Sequence, residues 1–196
     1  WNNTLRHTAV HNTVTVNGKD QMTAAGRFLY LDWAQAEIIA GEQAGSGCWR
    51  TLVAEHDGYR RDGVTHQRSV VAGAGTWRVE DTLSSMKPSQ GSVPAPITVS
   101  LHWLLPDWSW EMNGSSIVLG SPEGPIRLDI EQGAQTDSLA ASLVRAGRLL
   151  HGPGPAKPFW GWTSPAYGEK VPALSFSVSA TGDLPICLTS RWVFPG

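Results

Sequence analysis

The chain has 196 residues, enough for one domain with a sizeable core. Its formal net charge is -2, which excludes the strong positive field expected of a protein that binds nucleic acid or an anionic membrane surface. No apolar run approaches the roughly 20 residues needed to span a bilayer, and no signal peptide is recognisable. Because the chain opens on Trp1 without a methionine, we expect a mature piece or an excised domain of a longer protein.

The first strand is predicted at His11–Val16, where valine and threonine alternate before Asn17-Gly18, a dipeptide typical of tight hairpin turns. Lys87–Pro96 is rich in Pro, Ser and Gly and is predicted to be a loop. Further strands are predicted in the first half of the chain at Arg27–Trp33, Thr51–His56 and Ile97–Leu105, and a hairpin is predicted for Ser69–Val71 with Thr76–Leu83.

In the second half, hairpins are predicted for Ser116–Leu119 with Ile126–Ile130, and for Ala173–Ser179 with Leu184–Phe194. Thr136–Leu150 suits either a helix or a strand, and Gly147 with the surrounding pattern favours a strand. His151–Pro158 is predicted to be a long surface loop. With 21 glycines and 13 prolines leaving little room for long helices, residues 1–196 are predicted to form one all-β domain, an antiparallel β-sandwich of about a dozen strands.

Two histidines, His7 and His11, precede the first clear strand. If the segment were extended, residues four apart would lie on one face about 13 Å from each other. One zinc ion could not then bind both, because a Zn–N bond is about 2.0–2.1 Å long. The spacing therefore predicts that at most one of the two histidines is a ligand of any single metal ion.

Polar residues are concentrated in Glu55–Ser69. Tyr59 with His56 or His66 is a residue combination suited to acid–base chemistry. The alternative is a hairpin whose polar side chains pair across the strands, and we favour that interpretation.

The ten tryptophans raise a second alternative. Trp103, Trp108, Trp110, Trp160 and Trp162 lie near predicted loop ends, where indole rings can stack on sugars. They can equally form a buried cluster, and burial is favoured. Cys48 and Cys187 form either one disulfide or two thiols.

The stretch LRHTAVHNTVTVNGKDQ, Leu5–Gln21, closely resembles the signature Leu-Arg-x-Thr-x-x-His-Asn-Thr-Val-x-Val-Asp-Gly-x-x-Gln of the heparinase II/III-like polysaccharide lyases. The later runs EHDGYRR, GVTHQRSVV, GTWRVEDTL, HWLLPDW and WTSPAYGEK resemble family segments in the same order. The signature has Asp before Gly where this chain has Asn17, which still suits the turn.

The resemblance implies a C-terminal β-sandwich that covers one end of an N-terminal α/α-toroid, with the active-site cleft between the two domains. It implies cleavage of an acidic polysaccharide, heparin-like or alginate-like, by β-elimination at uronic acids, in the periplasm or outside the cell. By the same resemblance a zinc ion lies beside the cleft, with His11 as one ligand. The family's other zinc ligands and its Tyr and His acid–base residues lie upstream of the matching segment.

We therefore expect no catalytic residue in this chain, no lyase activity from it alone, and weak or absent zinc binding. Arg6, Asn12 and Trp108 are predicted to contact the substrate. The partners implied are an acidic polysaccharide and the toroid domain, with no nucleic acid and no membrane. The alternative function is a non-catalytic carbohydrate-binding or structural module.

Overall fold

The computed structural model describes residues 4–43, 49–86, 95–133 and 139–196, without the side chains at positions 43 and 49. Cys48, most of the predicted 87–96 loop and positions 136–138 lie outside the described residues. Cys187 carries a free, half-buried thiol. No helix in the described ranges is both long and apolar enough to cross a membrane.

Strands dominate the described residues, with three short 3₁₀ helices at Thr4–Arg6, Thr8–Val10 and Arg60–Asp62. The strands, numbered in chain order, are β1 Val14–Val16, β2 Thr23–Ala24, β3 Tyr30–Leu31, β4 Ala36–Gln43, β5 Trp49–Tyr59, β6 Val64–Gly73, β7 Thr76–Ser85, β8 Ile97–Leu105, β9 Ser109–Asn113, β10 Ser116–Ser121, β11 Gly124–Gln132, β12 Ala140–Arg145, β13 Arg148–His151, β14 Trp162–Thr163, β15 Val171–Pro172, β16 Leu174–Gly182 and β17 Ile186–Val193.

Two antiparallel sheets hold thirteen of these strands. One has five strands in the order β1-β8-β16-β12-β13, and the other has eight in the order β4-β5-β6-β7-β17-β11-β10-β9. Alternate residues of each sheet point inward, so that Leu101 and Phe176 from the first sheet join Leu83, Leu128 and Leu188 from the second in one core. The predicted all-β antiparallel sandwich of about a dozen strands is confirmed.

Several local predictions are confirmed as well. β8 has the predicted bounds, and β5 pairs with β6, β6 with β7, and β10 with β11. Asn17 and Gly18 both have positive φ (51° and 68°), as an Asn-Gly turn of the hairpin type requires. Ala146 and Gly147 form a similar turn between β12 and β13, so the ambiguous 139–150 stretch is a hairpin.

Two predicted elements are wrong. Arg27–Trp33 is extended as a strand only at Tyr30–Leu31, which pairs with Thr23–Ala24 outside both main sheets. β16 and β17 do not pair with each other, because the turn between them passes from the five-stranded sheet to the eight-stranded one. β16 lies between β8 and β12, and β17 lies between β7 and β11.

Candidate functional site

The His-Asn-Thr segment, His11 to Thr13, lies between the Thr8–Val10 helix and β1, where Val14 is fully buried. Its backbone is held from both sheets. The Thr13 carbonyl accepts from the His102 backbone N–H at 2.9 Å, and the Asn12 carbonyl accepts from Arg68 Nη1 at 2.5 Å. These bonds fix the segment at the edge of the sandwich and leave His11 exposed.

The prediction from the spacing of His7 and His11 assumed an extended backbone. The residues before β1 are not extended. His7 and His11 flank the 3₁₀ helix Thr8–Val10, whose Thr8 and Val10 side chains are buried. The chain therefore turns between the two histidines, and both line one pocket. The inference that strand geometry separates them is wrong, because burying Val10 requires a turn that the alternation of the following strand does not reveal.

That pocket has a volume of about 260 Å³. Its lining mixes cationic, acidic, imidazole and aromatic groups, contributed by Arg6, His7, Thr8, His11, Thr13, Asp20, Gln21, Met22, Ala24 and Tyr30. Two of the predicted site residues, Arg6 and His11, thus meet in one concave surface. Asn12 and Trp108 do not line it.

Arg6 reaches across the pocket to the loop before β3. Its Nη1 donates to the Gly26 carbonyl at 2.7 Å, and its guanidinium lies 5.9 Å from the centre of the Tyr30 ring. Within the described residues it forms no ion pair, so its positive charge is not neutralised by a carboxylate. Such a cation can bind an anionic group that enters the pocket.

Asn12 and Trp108 have structural contacts. The Asn12 Oδ1 accepts from the Leu104 backbone N–H at 2.7 Å, and this bond ties the segment to the end of β8. Trp108 is half-buried against the core. Their predicted contact with substrate stays a prediction.

The other tryptophans are mostly packed, as favoured. Trp103 is buried and donates to Ser190 Oγ at 3.0 Å, while Trp192 packs edge-on against it. Trp160 is half-buried in the loop after β13, where the Gly147 backbone N–H donates to its carbonyl at 2.7 Å, and Trp162 is half-buried in β14.

Beneath the pocket lies a buried polar network at neighbouring positions of β5, β6 and β7. Asp81 is fully buried, and it accepts from Arg68 through two bonds of 2.7 and 2.9 Å and from His66 Nε2 at 2.6 Å. His66 Nδ1 lies 2.8 Å from His56 Nε2. The Gln21 side-chain amide nitrogen donates to Thr13 Oγ1 at 3.3 Å and lies 3.3 Å from His56 Nε2, which places this pocket residue against the network.

The bond pattern defines the tautomers of both histidines. The Gly58 N–H donates to His56 Nδ1 at 3.1 Å, so the hydrogen of neutral His56 is on Nε2 and is donated to His66 Nδ1. His66 then donates from Nε2 to Asp81. Burial, and after it the neighbouring His66, lower the pKa of His56 to about 4, which keeps it neutral.

The charge of the network resides on Asp81 and Arg68. Burial on its own raises the pKa of the Asp81 carboxyl, but the hydrogen bonds from His66 and Arg68 and the Arg68 charge bring it below its ordinary value. The favoured hairpin interpretation of Glu55–Ser69 is borne out in that His56 and His66 are direct cross-strand partners. Sequence reasoning missed Asp81, although a carboxylate between Val79 and Leu83 on the inward face of a strand is a usable signal.

A further buried histidine, His102, lies on the outer face of the five-stranded sheet under Trp160. Its Nε2 is 3.0 Å from Thr15 Oγ1, and its Nδ1 has no hydrogen-bond partner among the described residues. Burial lowers the pKa of His102 to about 4.

The described residues contain no group of three or more His, Cys, Asp or Glu side chains that could hold a metal ion. The His11 imidazole is exposed and makes no hydrogen bond within the described ranges. His11 therefore offers a free imidazole to a metal ion, but a four-coordinate zinc site would need ligands in addition to it.

Together these features define an antiparallel β-sandwich domain with a polar, histidine-lined pocket at the start of its first strand. A family profile described as heparinase II/III-like, C-terminal, matches residues 1–187. The chain belongs to this heparinase II/III-like C-terminal family.

Among solved structures, a heparinase III gene product with methylated lysines is similar to this chain, with a TM-score of 0.63 and 19% sequence identity. The match covers 96% of this chain and 24% of that protein, so this chain spans about a quarter of the length of its structural relative. At this identity the likeness shows the fold. No curated protein sequence matches the chain significantly.

Proposed function

We propose that the chain is the β-sandwich part of an acidic polysaccharide lyase, in which it contributes one wall of the substrate cleft and one zinc ligand, His11. The observation that carries this proposal is the family match over residues 1–187. The substrate would be a heparin-like or alginate-like uronate polymer, cleaved by β-elimination in the periplasm or outside the cell.

The pocket chemistry supports a uronate as ligand. Arg6 presents a guanidinium that no carboxylate neutralises within the described residues, next to the Tyr30 ring on which a sugar can pack. His11 lies on the same wall and is free to coordinate. When bound, zinc would supply a fixed positive charge beside the cleft.

Exposed apolar side chains in the stretch that contains the pocket residue Tyr30 support a second domain as partner. Phe28 is 88% exposed, Trp33 68% and Ile38 65%, and Leu29, Leu31 and Ile39 are also exposed. Tyr30 of the same stretch lines the pocket. A concentration of apolar surface at a polar cleft is typical of an interaction site, and we propose that the N-terminal α/α-toroid covers it and supplies the remaining zinc ligands and the principal acid–base residues.

The isolated chain should not cleave heparin, heparan sulfate or alginate, measured as ultraviolet absorbance of the unsaturated uronate product. The protein extended upstream to include the toroid should produce that absorbance with at least one of these polymers. Cleavage by the isolated chain would contradict the two-domain site. An extended protein that binds the polymers without cleaving any of them would favour a non-catalytic carbohydrate-binding module.

The isolated chain should also retain little zinc, because one imidazole supplies only one of the four ligands usual for zinc. Elemental analysis after zinc loading and dialysis should give well below one zinc per chain. A stoichiometric zinc content would show that residues of this chain complete the site, and substitution of His7 and of His56 would then identify them.

A further inference from the structure

His7 and Asp20 form a hydrogen-bonded pair on the wall of the pocket. His7 Nδ1 lies 2.6 Å from Asp20 Oδ2, and both side chains are about one-third exposed (37% and 35%). The other carboxylate oxygen, Oδ1, accepts from the Thr8 backbone N–H at 2.7 Å. The His7 ring stacks on Phe159, with centroids 5.3 Å apart and 29° between the planes. The imidazole is therefore oriented by a carboxylate on one edge and an aromatic ring on one face.

This arrangement fixes which nitrogen of His7 is available. An ionised carboxylate only accepts hydrogen bonds, so Nδ1 holds the hydrogen that Asp20 accepts. Nε2 has no hydrogen-bond partner within the described part of the chain. A histidine whose Nδ1–H is held by an aspartate, and whose Nε2 is open to a pocket, has the geometry of an acid–base group.

The surroundings of His7 supply charge of both signs. The ionisable groups that line the two pockets next to it are Arg6, His11, Lys19, Asp20, Tyr30, Arg61 and Asp62. Asp20 is the carboxylate in direct contact with His7. Lys19 pairs with Asp62 at 2.5 Å, so that charge pair is largely self-neutralised. Arg6 remains to hold an anionic sugar beside His7.

We propose that the His7–Asp20 pair is a proton-transfer site that protonates the oxygen of the departing sugar during polysaccharide cleavage. The proposal rests on the lyase function proposed above, and it departs from the sequence prediction that no residue of this chain is catalytic. A base from the toroid takes the proton on the carbon next to the uronate carboxylate, and the C–H electron pair becomes the new carbon–carbon double bond. The C–O bond to the departing sugar breaks with its electrons on oxygen, which takes a proton from Nε2 of protonated His7. Solvent then returns that proton to His7.

The test has two parts. In the isolated chain, long-range ¹H–¹⁵N spectra of the neutral imidazole should show hydrogen on Nδ1 of His7. Asp20→Asn keeps an oxygen for the Thr8 N–H but presents an amide donor to His7, so the hydrogen should move to Nε2. A wild-type tautomer with hydrogen on Nε2 would overturn the proposal.

In the toroid-containing protein, His7→Gln should lower kcat on heparan sulfate or alginate by about 10²–10⁴-fold with KM little changed. It should also abolish the fall in kcat at alkaline pH that reports loss of the donated proton. Asp20→Asn should also lower kcat. The zinc content should not change in either variant. His151→Gln, on an exposed strand end away from the pocket, is the control and should behave as wild type.

The outcomes separate the two proposals. An active wild type whose His7→Gln and Asp20→Asn variants keep its kcat and pH profile would overturn the proton-transfer role and leave the lyase function intact. A toroid-containing wild type that cleaves none of the polymers would overturn both. Comparison of thermal unfolding midpoints shows whether a loss of kcat reflects unfolding. A loss of kcat in a variant with an unchanged midpoint is due to the missing proton-transfer group.

Discussion

Replacing Asp81 with alanine should lower the free energy of unfolding by about 3–5 kcal/mol, because it leaves the half-buried Arg68 charge and the buried His66 Nε2–H without their acceptor. Asp81 is fully buried and accepts from both Arg68 and His66. The same substitution removes the charge that orients Arg68 toward the Asn12 carbonyl. Urea denaturation of the wild type and of Asp81→Ala, compared at constant m-value, measures the change.

Asp107→Ala is the matched control. Asp107 also accepts two bonds from one arginine, Arg145, both at 2.6 Å, but this pair is at the surface. Its removal should change stability only slightly, because solvent screens exposed ion pairs. Equal effects of the two substitutions would show that burial of the Asp81 network contributes nothing to stability.

Acidification from pH 6.5 to pH 4 should destabilise the fold. His56 and His102 have pKa values of about 4 in the folded protein, whereas a histidine of the unfolded chain has a pKa of about 6.5. Between these values the unfolded state binds protons that the folded state does not. Stability is therefore fully present above pH 6.5 and falls by about 1.4 kcal/mol per pH unit for each histidine until pH 4.

Denaturant titrations at half-unit pH steps measure this slope. His102→Gln should remove about half of this slope, because His102 is one of the two histidines that contribute to it. The pKa of His102 is lowered by burial alone. For the same reason the His102 contribution should persist in high salt, which screens only charge–charge effects. An unfolding free energy that stays constant between pH 6.5 and 4 would contradict the assignment of His56 and His102 as buried neutral histidines.

The fold was predictable where local patterns determine it. The apolar run that ends at Pro106 predicted the bounds of β8, and glycine-containing dipeptides such as Asn17-Gly18 predicted tight turns. Alternation predicts which side chains of a strand share a face of the sheet, but it does not predict which other strand pairs with that strand. For that reason the sequence suggested a hairpin of β16 with β17, although their turn connects two different sheets.

The site was predictable only in part. The family signature singled out His11, and the structure leaves its imidazole free. The His7–Asp20 pair depends on the turn at Thr8–Val10 and on the Asn17-Gly18 turn, which together bring residues thirteen positions apart into hydrogen-bond contact. The Asp81 network depends on the register of three strands. Neither contact is local in the sequence.

The most direct test of the proposed two-domain site is His11→Ala in the toroid-containing protein, with zinc content and lyase rate measured on the same preparation. We expect that zinc is lost and that the cleavage rate falls by at least about tenfold, since even the loss of a residue that hydrogen-bonds to a metal ligand changes metal affinity or activity by such factors. His151→Gln should leave both quantities unchanged. A His11→Ala protein with full zinc content and wild-type cleavage would contradict the claim that this sandwich completes the site.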